Sequence, residues 1–473
     1  MSHATPVSDH SLWWDTVGVV PEWDRFDCDI SADVCVVGGG FSGLTAALKL
    51  VESGASVVVL EAKEPGYAAS GRNAGFVVPN IAKVDPDGMQ NLLGKEKGMR
   101  LAHAISRGGE GVFGTARRLG IDCDAVETGW IQPATYPSMI DTVHARFEQW
   151  KSLGRPVEWL DRVEIAKVMG CERFVGGWID QSGGGIHPLK YLFGLCLAVR
   201  DLGGSVYSET PATGFQRSDG KWRVKTSRGE VLAETLLICA NVSTGQLDAS
   251  AGASLMPAQI YQMATKPLSK ADSERLTPGR QPVSDVQNDV FTFRIDADNR
   301  LITGGMPIFP WDDGPGMGSR MARRLASELD LNEVPQVEKL WTGVAAVTTD
   351  FLPGIRQIGP GAFSGVACNA RGIASTHVLG NDLAALALKG DAARDLTAIP
   401  VREIAAAPFR RLAPLATRSW LWWGRRRDRI LARNSKIEIG NCRHVEMSGN
   451  TLEEMRIPIK TTEKNPQNNQ RRE

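Results

Sequence analysis

Gly38, Gly40 and Gly43 stand at G-x-G-x-x-G spacing, and Glu61 follows 18 residues after the last of them. Glycines so spaced bring backbone N–H groups against a pyrophosphate. The first permits a tight turn, the second allows close approach of the backbone, and the third lets a helix pack closely on a strand. An acid at the end of the following strand accepts hydrogen bonds from an adenosine ribose. The chemistry these residues suit is the holding of a dinucleotide, and it depends on their context.

That context is present in the chain. Asp33 to Val37 is a short apolar run of β-branched character, which reads as a buried strand. A helical pattern runs from Leu44 to Glu52 and stops at Gly54, and Ser56 to Leu60 is a second buried strand closed by Glu61. Strand, glycines, helix, strand and acid in that order predict a βαβ unit, with the helix N-terminus turned to the phosphates.

Composition narrows the class. The 473 residues suffice for two to three structural units, and 42% are hydrophobic, as in a globular protein with a sizeable core. Lys+Arg and Asp+Glu both number 54, so net charge gives no case for nucleic acid. The eight cysteines form no C-x-x-C pair, which favours free thiols in a reducing compartment over disulfides or zinc, and no metal is expected. The start lacks a basic region followed by an apolar core, and no run reaches the ~18 apolar residues of a membrane span. A cytoplasmic protein without a membrane span is the expectation.

Further along, Leu92 to Leu119 and Met139 to Leu153 carry helical periodicity, with a short strand-like stretch from Cys123 to Gln132 between them. Leu189 to Leu202 reads as an amphipathic helix leading to the strand Val206-Tyr207. Lys221–Thr226 and Glu230–Ala233 read as a hairpin, and Glu234 to Ala240 as a separate apolar strand ending at Asn241. Val290–Ile295 and Leu301–Met306 are strand-like, and Met321–Leu329 is helical. Phe363–Ala367, a turn over Asn369–Ile373 and a helix over Ser375–Leu388 again aim a helix N-terminus at a negatively polarised group. Trp13, Trp14 and Trp23 lie in a loop-like start that is either an arm packed over the core or surface decoration.

These blocks together resemble the FAD-dependent oxidoreductases of the D-amino-acid-oxidase-like superfamily, and within it the amine oxidoreductases of putrescine breakdown. The residues that carry the resemblance are Asp33 to Gly40, Ala69-Ser70-Gly71-Arg72-Asn73, Ile186-His187-Pro188-Leu189, Ala297 to Leu301 and Trp341-Thr342-Gly343. The resemblance implies an α/β (α+β overall) fold, with a Rossmann-type FAD-binding domain built from discontinuous segments and a β-sheet-rich substrate domain. The expected FAD-binding segments are 31–85, 181–248 and 339–395, and the substrate or cap segments are 86–180 and 249–338. An arm over 1–30, a packed segment over 396–435 and a polar, disordered tail over 436–473 complete the division.

By position, the resemblance places Gly38, Gly40, Phe41, Ser42 and Gly43 on the pyrophosphate, and Glu61 with Ala62 on the adenosine ribose. Ser70, Gly71, Arg72, Asn73, Ala74 and Gly75 would run beside the pyrophosphate and the flavin ring. Ala212 would meet the adenine, and Asn241 ends the second contact strand. Arg371, Gly372 and Ile373 would aim backbone N–H groups at the flavin's pyrimidine end. The chain departs from the putrescine-pathway pattern at Ala74-Gly75-Phe76 and at Ala370-Arg371-Gly372. Ile302 stands on the strand where some amine oxidases carry a lysine for oxygen activation. Gly343 stands where relatives with covalent flavin carry a cysteine, so non-covalent FAD is expected.

Three residues are the catalytic candidates. Arg371 can pair a substrate carboxylate bidentately or stabilise the reduced flavin anion; the alternative is a loop arginine facing solvent. Arg72 is by motif either at the flavin or supporting the residues that touch it, with a structural ion pair as the alternative, and Phe76 is either an apolar wall beside the flavin or ordinary core. His187 and His377 read as packing residues. Trp420, Trp422 and Trp423 beside Arg425, Arg426 and Arg427 read as a packed terminal segment rather than a membrane or nucleic-acid contact. The resemblance implies oxidation of the C–N bond of a small-molecule amine or amino acid by hydride transfer to flavin. Hydrolysis of the imine and reoxidation by O2 to give H2O2 would follow. The alternatives are a dehydrogenase using a quinone or carrier as electron acceptor, and a flavin-binding protein without turnover.

Overall fold

The structure is a computed structural model describing residues 5–307, 314–366, 368–406, 418–419, 421–428 and 430–431. The tail expected over 436–473, residues 407–417 of the segment before it, Trp420, and Ala367 at the end of the last strand-like run lie outside the described residues.

One sheet carries the dinucleotide pattern. Its parallel centre runs Ala362–Val366, Glu230–Ile238, Ile30–Val37, Val57–Leu60, Ser205–Ser208 and Asp24–Arg25. Strand Ile30–Val37 has its sequence successors on one side and Glu230–Ile238 on the other. The order therefore reverses between these two, and ligands of open parallel sheets bind in the crevice at the strand ends where that happens. Strands Val57–Leu60 and Ala362–Val366 are buried along their whole length, as expected where helices cover both faces.

The second sheet is also mixed and, like the first, has nine strands. Strands Val337–Thr348, Leu255–Thr265, Leu301–Gly305 and Thr292–Ile295 form its antiparallel middle, and Val283–Ser284, Trp130–Ala134, Gly176–Asp180 and Val157–Leu160 extend it. Along Leu301–Gly305 the side chains alternate: Leu301 joins a core with Met317, Met321 and Leu325 of helix Pro315–Glu328. Ile302 faces the other way, into the principal core with Trp13, Trp130, Trp341 and Leu44. The two sheets are thus joined through one apolar interior.

Several elements differ from the sequence reading. The helix expected over Leu92–Leu119 is two helices, Pro86–Leu93 and Lys95–Arg118, separated by Gly94 at φ +83°. The hairpin strand and the apolar strand expected over 230–240 are one strand, Glu230–Ile238. It pairs with Lys221–Lys225 up to Ala233 and with Ile30–Val37 along its length, and Glu234 is its exposed residue. Trp13 is 1% exposed, so the N-terminal arm is packed over the core and not surface decoration.

Candidate functional site

The glycine turn is built by contact. Gly38 sits at φ +108°, and a Cβ there would fall 2.6 Å from Cys239 O, where strand Glu230–Ile238 ends. A Cβ at Gly43 would fall 2.1 Å from Gly38 O, so only glycine lets helix Phe41–Glu52 start this close to the turn. Gly40 is the N-cap and no side chain caps this helix. The Phe41 N–H donates to Ser70 Oγ at 3.1 Å, while the N–H groups of Ser42 and Gly43 are left among the unbonded donors of a helix start. A pyrophosphate fits such a cradle by charge and by space.

Glu61 ends its strand beside the turn. Its Oε2 accepts the Gly39 N–H at 2.8 Å and its Oε1 the Lys63 N–H at 3.0 Å. Burial pushes its carboxyl above the usual range, opposed by those backbone N–H groups. Ala62 is exposed beside it. Asn241 begins a short 3-10 turn in the left-handed region, φ +49°, two residues beyond the Cys239 carbonyl that abuts Gly38. Ala212 packs at the edge of the small core formed with Phe26 and Tyr207.

A second helix start lies nearby. Helix Gly372–Lys389 begins after the turn Asn369-Ala370, both at positive φ, and no side chain caps it. It crosses helix Phe41–Glu52 at Gly380, eight residues in, or about 12 Å along the axis. The two uncapped N-termini are therefore held apart by one rigid contact, with Gly372 and Ile373 opening the second of them.

Against the first of them lies the loop Ser70–Gly75, whose Ser70 Oγ accepts the Phe41 N–H. Asn73 folds it on itself: Nδ2 donates to Ser70 O at 2.8 Å and Oδ1 accepts the Gly75 N–H at 2.9 Å. Gly75 is at φ +77°, and a Cβ there would fall 2.2 Å from Ile186 O. Arg72 has no carboxylate partner among the described residues. Its guanidinium donates to the carbonyls of Tyr67, Thr342 and Asp9, joining loop, second sheet and arm. Through these bonds it positions the loop, with no structural ion pair among the described residues.

Arg371 precedes the second helix start. Its Nη1 donates to Asn80 Oδ1, and its guanidinium lies 5.1 Å from the centre of the Trp130 ring. Burial, then the charge of Arg146, pushes its pKa down to about 9, and Asp85 and Asp285 only partly offset this. Asn80 is 1% exposed and its Nδ2 has no partner among the described residues. Lys83 also feels Arg371 and Arg146, and burial lowers its pKa. An anionic group brought here would relieve the crowding of positive charge. Phe76 is half-buried, pairs with Gly185 in a short two-stranded sheet and packs against the principal core.

Sequence reasoning missed Arg294, Asn80 and Trp130. Arg294 is buried; its Nε donates to Ala74 O at 2.6 Å and its Nη2 to Ile186 O at 3.0 Å. An arginine inside the apolar run Phe291–Ile295 was the available signal. His187 caps helix Pro188–Asp201 through Nδ1, and burial pushes its pKa down to about 3. A cavity of about 270 Å³ lined by Phe291, Thr303, Arg324, Glu328 and Asp428 lies beside helix Pro315–Glu328, and none of the expected cofactor residues line it. Among the described residues no His/Cys/Asp/Glu group is placed to hold a metal, and no helix is long and apolar enough to cross a membrane.

The switch-point cradle, the acid that closes the following strand and the paired helix starts are the features of a dinucleotide-binding protein, here with a second mixed sheet. The description "FAD dependent oxidoreductase" (DAO) matches residues 33–386, and the chain belongs to that family of FAD-dependent enzymes. It is 30% identical over 374 residues to gamma-glutamylputrescine oxidoreductase of Escherichia coli (strain K12), covering 79% of this chain and 87% of the relative. It is 24% identical to the glycine oxidase of Geobacillus kaustophilus (strain HTA426), over 68% of this chain and 83% of that one. The crystal structure of glycine oxidase from Geobacillus kaustophilus superposes with a TM-score of 0.65 at 20% identity, covering 80% of this chain and 100% of that one. L-amino acid deaminase from Proteus vulgaris, with its specific insertion deleted, superposes with a TM-score of 0.64 at 18% identity, over 79% and 94%. These two structures share its fold.

Proposed function

We propose that the enzyme oxidises the C–N bond of an amine or amino acid bearing a carboxylate. The observation that carries this reading is Arg371: a half-buried guanidinium at a helix start expected to face the flavin, stacked on Trp130 and tied to an amide rather than to an acid. The relatives named for an acylated diamine and for glycine support the substrate class. Bound FAD would supply the hydride acceptor for the substrate carbon and the route of the electrons to O2 or another acceptor.

The chain's own residues bind and orient. Gly38 to Gly43 and Glu61 would hold the dinucleotide, without a covalent bond. Arg371 takes the carboxylate, and Asn80 fixes the guanidinium through Oδ1 while its unpaired Nδ2 offers a further donor. Trp130 forms the floor, and Phe76 excludes water beside the loop. A substrate amine arriving neutral needs no side-chain base, and its imine product hydrolyses in water.

Ile302 is the observation that favours a second reading, a dehydrogenase using a quinone or carrier. It is fully buried among apolar side chains, so no lysine-like group for oxygen activation stands at that strand position. Oxygen uptake with stoichiometric peroxide, measured for gamma-glutamylputrescine, putrescine and glycine, tests the oxidase. Turnover with a quinone analogue but without peroxide supports the dehydrogenase, and turnover of none of these amines with either acceptor contradicts both.

A further inference from the structure

We infer that the N-terminal arm is part of the cofactor site, with Ser11 and Trp13 as positioning residues for the flavin-facing loop. The inference rests on the assignment of Ser70–Gly75 to the flavin, and the arm lies outside the stretch, 33–386, that defines the family.

Five successive carbonyls of this loop each accept a hydrogen bond from a remote part of the chain. Gly71 O accepts from Ser11 Oγ at 2.7 Å, Arg72 O from Trp341 Nε1 at 2.9 Å, and Asn73 O from Trp13 Nε1 at 2.7 Å. Ala74 O accepts from Arg294 Nε at 2.6 Å and Gly75 O from the Ile186 N–H at 2.9 Å. Two of the five donors belong to the arm. Ser11 is the N-cap of helix Leu12–Thr16, yet its hydroxyl does not cap that helix. It is wholly buried and spends its proton on Gly71. Trp13 is clasped by the Arg294 guanidinium at 5.2 Å and by His187 at 4.9 Å, so its indole has one orientation.

The consequence follows from peptide geometry. In a trans peptide the C=O and the next N–H point in opposite directions. With Arg72 O turned to Trp341, the Asn73 N–H points away from the second sheet. With Asn73 O turned to Trp13, the Ala74 N–H points away from the arm. Neither N–H has a partner among the described residues. The arm therefore aims the Ala74 N–H, as a donor, at the group the loop faces, and Ser11 fixes the loop's entry.

The test is the affinity of apo-protein for FAD, read from quenching of flavin fluorescence, together with the visible spectrum of bound flavin. Trp13→Phe keeps an aromatic ring, smaller than the indole, and removes the donor; Ser11→Ala removes only the hydroxyl. Each leaves one buried carbonyl unpaired, and each is expected to weaken FAD binding about tenfold, with a shift in the flavin bands for Trp13→Phe. Trp150→Phe is the control, since Trp150 is equally buried with its indole N–H unpartnered, and it should leave both readouts unchanged. If Trp13→Phe does not fold, Ser11→Ala carries the measurement. FAD affinity within twofold of wild type and an unshifted spectrum in the folded variants overturn the inference. A wild-type protein that does not bind FAD overturns the underlying site assignment instead.

Discussion

A Cβ on Gly380 would fall 2.7 Å from Ser42 O, so the helix that opens at Gly372 and the helix that opens at Phe41 cross in backbone contact. That contact sets the spacing between the two helix starts assigned to the cofactor. Gly380→Ala should push them apart. Overpacking of this kind costs about 1–3 kcal/mol, and the variant should lose most of its bound FAD, measured as the flavin-to-protein absorbance ratio after purification.

Replacing Arg371 with Met removes the guanidinium while keeping the stacked volume over Trp130. KM for a carboxylate-bearing amine should rise about tenfold or more, since a charge-assisted hydrogen bond contributes roughly 1.5–3 kcal/mol. An amine without a carboxylate should change far less. Steady-state kinetics on a matched pair of amines checks this, and an unchanged ratio of the two KM values removes Arg371 from that role.

Arg294 holds one carbonyl of the loop, Ala74 O, and one of the segment beside it, Ile186 O, from a buried position. Arg294→Met leaves both unpaired and should destabilise the protein by about 2–5 kcal/mol. Arg294→Lys should not restore it, because an ammonium lacks the planar fork that reaches both. Urea unfolding of the three proteins measures the difference.

Burial pushes the Asp285 carboxyl up to about 7, only partly opposed by Arg324 and by the N–H groups of Phe291 and Gln287. Unfolded, it titrates near about 3.9. Between these values the folded state holds the extra proton, so this group makes stability fall as pH rises from about 4 to about 7 and leaves it level above. In Asp285→Asn that contribution is gone. The gap between the urea midpoints of wild type and variant should shift toward the variant as pH rises across this window; a constant gap contradicts the assignment.

The cradle was legible because its three glycines stand close together in the chain, and Gly43 meets the Gly38 carbonyl within the turn itself; the G-x-G-x-x-G spacing records that, although Gly38 and Gly40 meet Cys239 and Ser70 from distant segments. Arg371 could be placed at a helix start from the turn before it, but Asn80 and Trp130, which give it its orientation, are more than 200 residues away. Strand Glu230–Ile238 was read as two pieces because Glu234 interrupts the apolar pattern. That residue is exposed just past Ala233, the last residue paired to Lys221–Lys225. Trp13 left two readings open, since an aromatic in a loop-like arm looks the same whether its indole is buried or bare. What it binds lies 60 residues further on.

The most direct test of the central claim is anaerobic mixing of the FAD-loaded protein with a carboxylate-bearing amine, with an alcohol and a 2-hydroxy acid alongside, followed in the visible flavin band. Oxidation of a C–N bond predicts that the band bleaches with the amine and not with the other two. Bleaching by the hydroxy compounds alone, or by none of the three, contradicts the account.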